Sequence, residues 1–381
     1  MAASGCYLGR PLRILQVPPQ FDPSVGGVEN HTREVSRRLV ADGFEVEVLT
    51  ADQSGRLPKA ELIGDIPTVR VQAFPRGGDQ LFAPGIARRV SSGRWDVVHV
   101  QCYHTFVAPL AMAAAARSRI PYLLTFHGGG HTLRRRNRMR RHQLRALRPL
   151  LARAAVLVAT AEWEIEHYSS LLSLPRDRFR LIPNGGDLPP VSPAADGDGT
   201  VIISIGRVER FKGHHHAIAA LPHVLREIPD ARLWVAGDGP YESELVALAE
   251  RLRISDRVEI FAERDRAVFG ARLAGASLAT LLSEFETHPM AAAEAIALGV
   301  PTLVGDDGGG LTELARKGLV RSVSLEAGPA EHAAAMVRAI REPLPPTELT
   351  LPSWDECYEA LRRVYLQLHQ RRESRLPTVS T

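Results

Sequence analysis

Short apolar runs, each followed by a loop and a stretch of helical spacing, recur along this chain in two series, and that recurrence limits what it can fold into. The first series opens at Leu12 to Val17 (LRILQV), an apolar run that reads as a strand buried on both faces. A loop, PPQFDPSVGG, follows. From Val28 to Asp42 the spacing is helical, with Val28, Val35, Leu39 and Val40 on one side and Arg33, Glu34 and Arg37 on the other. Gly43 stops that helix, and Phe44 to Thr50 is the next strand. The rhythm continues through a strand at Asp96 to Val100, a helix at Pro109 to Arg117, a strand at Tyr122 to Phe126, a basic helix and a strand at Ala155 to Ala159. Such alternation predicts a parallel sheet with helices on both faces.

Periodicity stops around residues 189–200 (PPVSPAADGDGT), a linker composition. A second series then runs from Val201 to Ile205 through Arg232 to Ala236, Val258 to Phe261, Leu278 to Leu282 and Thr302 to Val304. At 381 residues the chain exceeds one ordinary domain. The expected fold class is therefore α/β, with two Rossmann-like doubly wound domains at 1–188 and 189–353 and a short disordered tail at 371–381. Ligands of open parallel sheets bind at the carboxyl ends of strands, so the residues just after each strand matter most.

Composition narrows the function classes. Cys6, Cys102 and Cys357 have no ligand spacing, which argues against a disulfide framework or a zinc site and for a reducing, cytoplasmic compartment. Met1 to Pro11 holds no apolar stretch long enough for a signal peptide, and the weakly apolar run near Phe106 to Ala116 is too short to span a bilayer. Between Asp96 and Glu162 there is no acidic residue, yet eleven arginines lie between Arg117 and Arg153, in a chain whose net charge is only +4. Nucleic-acid binding is not expected, because the arginine-rich helix carries no interleaved aromatic residues for stacking. Two readings of that helix stay open: a solvated face, or attraction to an anionic acceptor or membrane surface. Leu144, Leu147 and Leu151 recur at helical spacing, so one stripe can pack while the arginines point outward.

The second series carries the chemistry. VIISI runs into Gly206-Arg207-Val208-Glu209-Arg210-Phe211-Lys212-Gly213, where Arg207 and Lys212 can converge on one anion, a diphosphate being a natural guest. Lysine occurs only at positions 59, 212 and 317, so Lys212 stands out as a compact point charge. The strand from Leu278 runs into SEFETHPM and an alanine-rich helix. Pro289 fits the first helical position, Glu286 precedes the helix and Glu294 lies within it. Backbone N–H groups at the helix start, near Met290, suit a phosphate, and two flanking carboxylates suit the hydroxyls of two sugar rings.

These pieces, in order, resemble the donor-binding domain of glycosyltransferase family 4, the retaining nucleotide-sugar transferases of GT-B fold. The motifs are GRVERFKG, WVAGDGP at Trp234, VEIFAE at Val258, SEFETHPMAAAEA and GVPTLVGDDGGGLTEL at Gly299. In the first half GGVENHTREVSRRL, DVVHV, LTFHGGGH and IPNGGD are similar to the family too, so the resemblance spans nearly the whole chain. It implies two domains facing across a cleft, with a helix at 354–370 crossing back to the first. It also implies transfer of a hexose-type sugar from a nucleoside-diphosphate sugar to a hydroxyl acceptor, either a soluble metabolite or a saccharide. Arg207 and Lys212 would hold the diphosphate, Glu294 the ribose and Glu286 the transferred sugar. Gly26 and Gly27 would approach the phosphates, His127 would contact the sugar near the reacting carbon, and Arg264 would stack on the base. No metal and no cofactor beyond the sugar nucleotide are expected, and retention of configuration follows from the resemblance alone. Thr287-His288-Pro289 departs from the family's Gly-Phe-Gly, Gln101 stands where histidine is frequent, and NGGD replaces NGVD.

Three further readings were open at this level. A lipid-linked acceptor at a membrane surface fits the arginine helix. A dehydrogenase is weak, because Gly237-Asp238-Gly239 lacks a third glycine at the required place. A catalytically idle donor-binding subunit would not need Glu286, Lys212 and His127 together.

Overall fold

A computed structural model describes residues 6–7, 10–24, 26–77, 81–128, 134–186, 199–263, 265–345 and 352–374. They divide into two compact units, one holding the chain up to Gly128, Arg135–Gly185 and the stretch from Ser353, the other Gly186–Pro352. The linker expected at 189–200 falls almost wholly outside the described residues, as does the tail beyond 374.

The first unit begins with a short antiparallel pair, β1 (Cys6–Tyr7) and β2 (Arg10–Pro11). There follow β3 (Arg13–Val17), α1 (Gly27–Ala41), β4 (Glu45–Asp52), β5 (Ala60–Ile63), β6 (Ile66–Gln72), α2 (Gly85–Ser92) and β7 (Val97–Gln101). Then come α3 (Val107–Arg117), β8 (Tyr122–Thr125), α4 (Arg134–Leu151), β9 (Val156–Ala159), α5 (Glu162–Leu172) and β10 (Phe179–Leu181). Eight strands form one sheet in the order β10-β9-β8-β7-β3-β4-β6-β5, parallel except for β5 on β6. The order reverses between β3 and β7, so the loops after these strands, and after neighbouring β8, share one sheet edge.

The buried strands read as continuous apolar runs because alternate residues enter two cores. Leu15, Val98, Leu124 and Leu157 pack under α2, α3, α4 and α5. Ile14, Val97, Leu123 and Val158 pack on the other face, against Val35 and Leu39 of α1 and residues Cys357, Tyr358, Leu361 and Tyr365 near the C-terminus. The hairpin of β5 and β6 went unread in the sequence for a physical reason. Two of the residues β6 buries are Thr68 and Arg70, which break the apolar pattern, and Arg70 is neutralised by Glu61. Helix α3 starts two residues before the expected Pro109, which the first helical turn tolerates because its N–H groups have no intrahelical partner. In α4, Leu144, Leu147 and Leu151 are buried while Arg141, Arg145 and Arg148 are exposed. The side chains of Arg134–Arg138 lie outside the described residues.

The second unit contains β11 (Val201–Ile205), α6 (His214–Glu227), β12 (Arg232–Ala236), α7 (Glu242–Arg251), β13 (Val258–Phe261), α8 (Arg266–Ala274) and β14 (Leu278–Leu281). It continues with α9 (Met290–Ala297), β15 (Thr302–Gly305), α10 (Gly310–Arg316), β16 (Arg321–Val323) and α11 (Pro329–Arg341). Its six strands are all parallel, in the order β13-β12-β11-β14-β15-β16. The reversal here falls between β11 and β14, the position where doubly wound sheets bind ligands. The last helix, α12 (Trp354–Glu373), belongs to the first unit. It runs three residues past 370, with Arg371 and Arg372 complementing the dipole of its last turn and Arg372 donating to the Trp95 carbonyl at 2.8 Å.

Candidate functional site

The motifs GRVERFKG and SEFETHPM leave the two strands that flank the reversal point of the second sheet. After β11 the chain makes a one-turn 3-10 helix, Arg210–Lys212, and enters α6 through Gly213 at φ +76°. A Cβ on Gly213 would sit 1.8 Å from the Leu282 carbonyl oxygen, so only glycine lets this loop lie against the end of β14. That approach brings Lys212 Nζ to 2.6 Å from Glu286 Oε1, across 74 residues of sequence. Ser283 Oγ donates to the same oxygen at 2.8 Å. Lys212 and Glu286 are both mostly buried, so the pair balances two charges that would be costly apart.

Glu286 is also held by its backbone. Its N–H donates to Asp307 Oδ2 at 2.7 Å, and its carbonyl accepts from Gly310 N–H. Asp307 in turn accepts from the N–H groups of Gly309 and Thr312, while burial pushes its carboxyl above the usual range. A Cβ on Gly310 would come within 2.4 Å of the Thr287 carbonyl oxygen. The partners of Asp307 therefore fix the loop that carries Glu286.

Glu294 lies on the fifth residue of α9 and is 6% exposed. Burial raises its pKa, opposed by Arg266, whose Nη2 donates to Oε1 at 2.6 Å. Glu294 is thus a buried carboxylate paired with Arg266, a partner that the sequence does not indicate. Pro289 caps α9 and Met290 begins it, one residue later than expected, because ψ of +75° takes Pro289 out of the helical region. Arg207 is 57% exposed and pairs with Glu209 at 2.5 Å. The expected base-stacking residue, Arg264, lies outside the described residues.

In the first unit His127 follows β8 at φ +41°, left-handed backbone uncommon for histidine, and Cys102 follows β7 at φ +69°. Backbone strain of this kind, on the ligand-binding edge of a sheet, is a mark of functional loops. His127 is 8% exposed and its Nε2 lies 2.8 Å from Gln101 Oε1. Gly128 N–H donates to Glu164, a buried carboxylate that also accepts from Thr160, and burial lifts its pKa to about 7. Gly26 caps α1 with extended backbone and Gly27 starts it. A Cβ on Gly27 meets nothing within 4 Å, so the fold of this unit does not itself demand glycine there.

Residues 25–188 match the family model Glycosyltransferase Family 4, and residues 190–346 match Glycosyl transferases group 1. The glycogen synthase of Mycobacterium tuberculosis is 30% identical over 335 residues, covering 78% of this chain and 79% of that protein. This chain belongs to glycosyltransferase family 4. Its fold is GT-B: sucrose-phosphate synthase from Thermosynechococcus elongatus superposes with a TM-score of 0.78 at 20% identity, over 94% of this chain and all of the other. Anabaena HepE in complex with UDP-glucose superposes with a TM-score of 0.68 at 18% identity, over 94% of this chain and 98% of that one.

One support of the loop that carries Arg207 and Lys212 escaped sequence reading. His214, 1% exposed, lies 2.7 Å from Ser204 Oγ on β11 through Nδ1 and 3.2 Å from the Arg207 carbonyl through Nε2. Burial pushes its pKa down to about 4, so at neutral pH it accepts from Ser204 and donates to Arg207. A histidine depressed on folding costs stability as pH falls, because the unfolded chain takes the proton first. The enzyme should therefore lose stability between about pH 6.5 and pH 4, by on the order of 3 kcal/mol from this group. His214→Gln should flatten that part of the profile in urea titrations read by fluorescence; an unchanged slope would remove His214 as its source.

Proposed function

We propose that the enzyme transfers a hexose from a nucleoside-diphosphate sugar to a hydroxyl acceptor with retention of configuration and without a metal ion. The observation that carries this reading is the Lys212–Glu286 pair at the reversal point of the second sheet, with Glu294 buried on the helix that follows. As the bond from the sugar carbon to the diphosphate breaks, negative charge grows on the departing phosphate. Lys212, Arg207 and the N–H groups at the start of α9 are the groups proposed to stabilise it. Glu286, held by Ser283 and by its backbone, would accept from hydroxyls of the transferred sugar, and Glu294 from the ribose. Binding of UDP-glucose by HepE supports a sugar nucleotide as donor. Gly26, Gly27 and His127 remain proposed contacts from the first unit, and Arg264 a proposed contact to the base.

The acceptor is proposed to be a soluble metabolite or a saccharide. A thermal-shift screen of nucleotide sugars and free nucleotides tests the donor. NMR of the first product formed, with and without EDTA, tests retention and metal independence. A β-configured product from an α-configured donor, or loss of activity in EDTA, would refute the corresponding part.

The exposed arginines of α4 favour a second reading, a lipid-linked acceptor at an anionic membrane surface. No helix among the described residues is long and apolar enough to cross a membrane, so such contact would be peripheral. Attraction of this kind is screened beyond about 8 Å at physiological salt. On this reading, sedimentation with anionic vesicles should fall steeply with added salt and with Arg141→Glu plus Arg145→Glu. Indifference to both would leave the soluble acceptor.

A further inference from the structure

A chain of buried polar side chains runs through the first unit, from the last helix to His127. Gln16, His99 and Tyr365 are fully buried, and Gln101 is 1% exposed. Gln16 Nε2 donates to the Tyr365 hydroxyl at 3.0 Å, and that hydroxyl lies 2.6 Å from His99 Nδ1. Gln101 Nε2 donates to Gln16 Oε1 at 3.0 Å and faces His99 Nδ1 at 3.3 Å. Gln101 Oε1 is then the atom left to face His127 Nε2 at 2.8 Å. The far side of His99 meets Thr125 Oγ1 at 2.7 Å.

Each link restricts the next. Burial, with His31 nearby, holds the His99 pKa well below its ordinary value, so His99 is a neutral ring with one N–H. Its Nδ1 faces two donors, the tyrosine hydroxyl and the Gln101 amide, and so serves as an acceptor while Nε2–H donates to Thr125. With its NH2 engaged by two acceptors, Gln101 presents only its carbonyl oxygen to His127. An amide oxygen cannot donate, so His127 Nε2 must carry a hydrogen.

We infer that Gln101 and Tyr365 are positioning residues that keep a hydrogen of the His127 ring on Nε2. The bearing of that hydrogen on catalysis rests on the proposed place of His127 at the transferred sugar. Glutamine suits the role because it takes up no proton at ordinary pH, and its two ends differ in hydrogen-bonding sense. Tyr365 extends the constraint to α12, 349 residues from Gln16 in sequence.

The test is nitrogen NMR of the full chain with 15N-labelled histidine, His127 being assigned by the signal lost in His127→Gln. The wild type should show the Nε2–H signature. Gln101→Met and Tyr365→Phe should each give a mixture with Nδ1–H, while Gln101→Glu, which keeps an acceptor facing the ring, should retain Nε2–H. In the same two mixed variants kcat should fall about tenfold with KM for the donor within about twofold, a change in the chemical step rather than in binding. Gln101→Met changes no side chain of α12, so it decides the matter if Tyr365→Phe does not fold. Folded variants that keep a pure Nε2–H signature would overturn the inference. If the tautomer shifts while kcat stays and His127→Gln is fully active, the relay stands and the proposed place of His127 at the sugar falls.

Discussion

Lys212→Ala is expected to lower kcat by at least about a hundredfold while the fold survives, a loss comparable to removing one preorganised donor from a site where charge develops. Lys212 is 15% exposed and lies 2.6 Å from Glu286, so its ammonium is held in place rather than solvated. Removing it leaves Glu286 hydrogen-bonded to Ser283, and the backbone of the Glu286 loop is still anchored on Asp307 and Gly310. Turnover should collapse while the variant still unfolds cooperatively, at a melting temperature lowered by the Glu286 carboxylate left without its ammonium. Lys212→Arg should not restore the rate, because a planar fork in this space cannot reproduce a compact ammonium. Arg207→Ala should cost less, about tenfold, since its guanidinium is more than half exposed and screened by water. Turnover near the wild-type value in Lys212→Ala, at saturating donor, would remove this residue from the diphosphate site.

The two glutamates should separate. Glu294→Gln is expected to weaken binding of the free nucleoside diphosphate by about tenfold or more, through loss of charge-assisted hydrogen bonds to vicinal hydroxyls. Its neighbour Arg266 is 52% exposed and can turn to solvent, so the cost to the fold should be small. Glu286→Gln should leave nucleoside diphosphate affinity nearly unchanged and lower kcat/KM for the intact donor by roughly a hundredfold. The substitution also takes the charged partner from Lys212, so some tightening towards the diphosphate is the expected side effect. Calorimetry with the nucleoside diphosphate and kinetics with the intact sugar nucleotide give the two readouts. Equal losses of nucleoside diphosphate affinity in both variants would contradict the division of roles.

Much of this was legible in the chain itself. A strand buried on both faces has to be apolar at successive positions, so LRILQV, DVVHV and VIISI announced a parallel sheet before any contact was known. The motifs GRVERFKG and SEFETHPM stood out because charged residues directly after buried strands are local features of the sequence. The basic helix also behaved as its spacing required, with Leu144, Leu147 and Leu151 turned inward. Periodicity failed where a polar residue faces inward, as at Thr68 and Arg70 of β6.

Which motif meets which was decided by tertiary structure. Spacing along the chain does not fix strand order, and it is the order β13-β12-β11-β14-β15-β16 that sets Lys212 against Glu286. Asp307, His214 and Arg266 gave no signal of their own, since a turn aspartate, one of three consecutive histidines and one arginine among many look alike until a partner is placed beside them. The same holds for Gln101, which read as a departure from a frequent histidine and proved to face His127. Sequence by itself determined the period of burial and the chemistry available after each strand. Crossover connections and side-chain packing decided the pairings, because hydrogen bonds and ion pairs depend on ångström distances between residues that the chain separates by dozens or hundreds of positions.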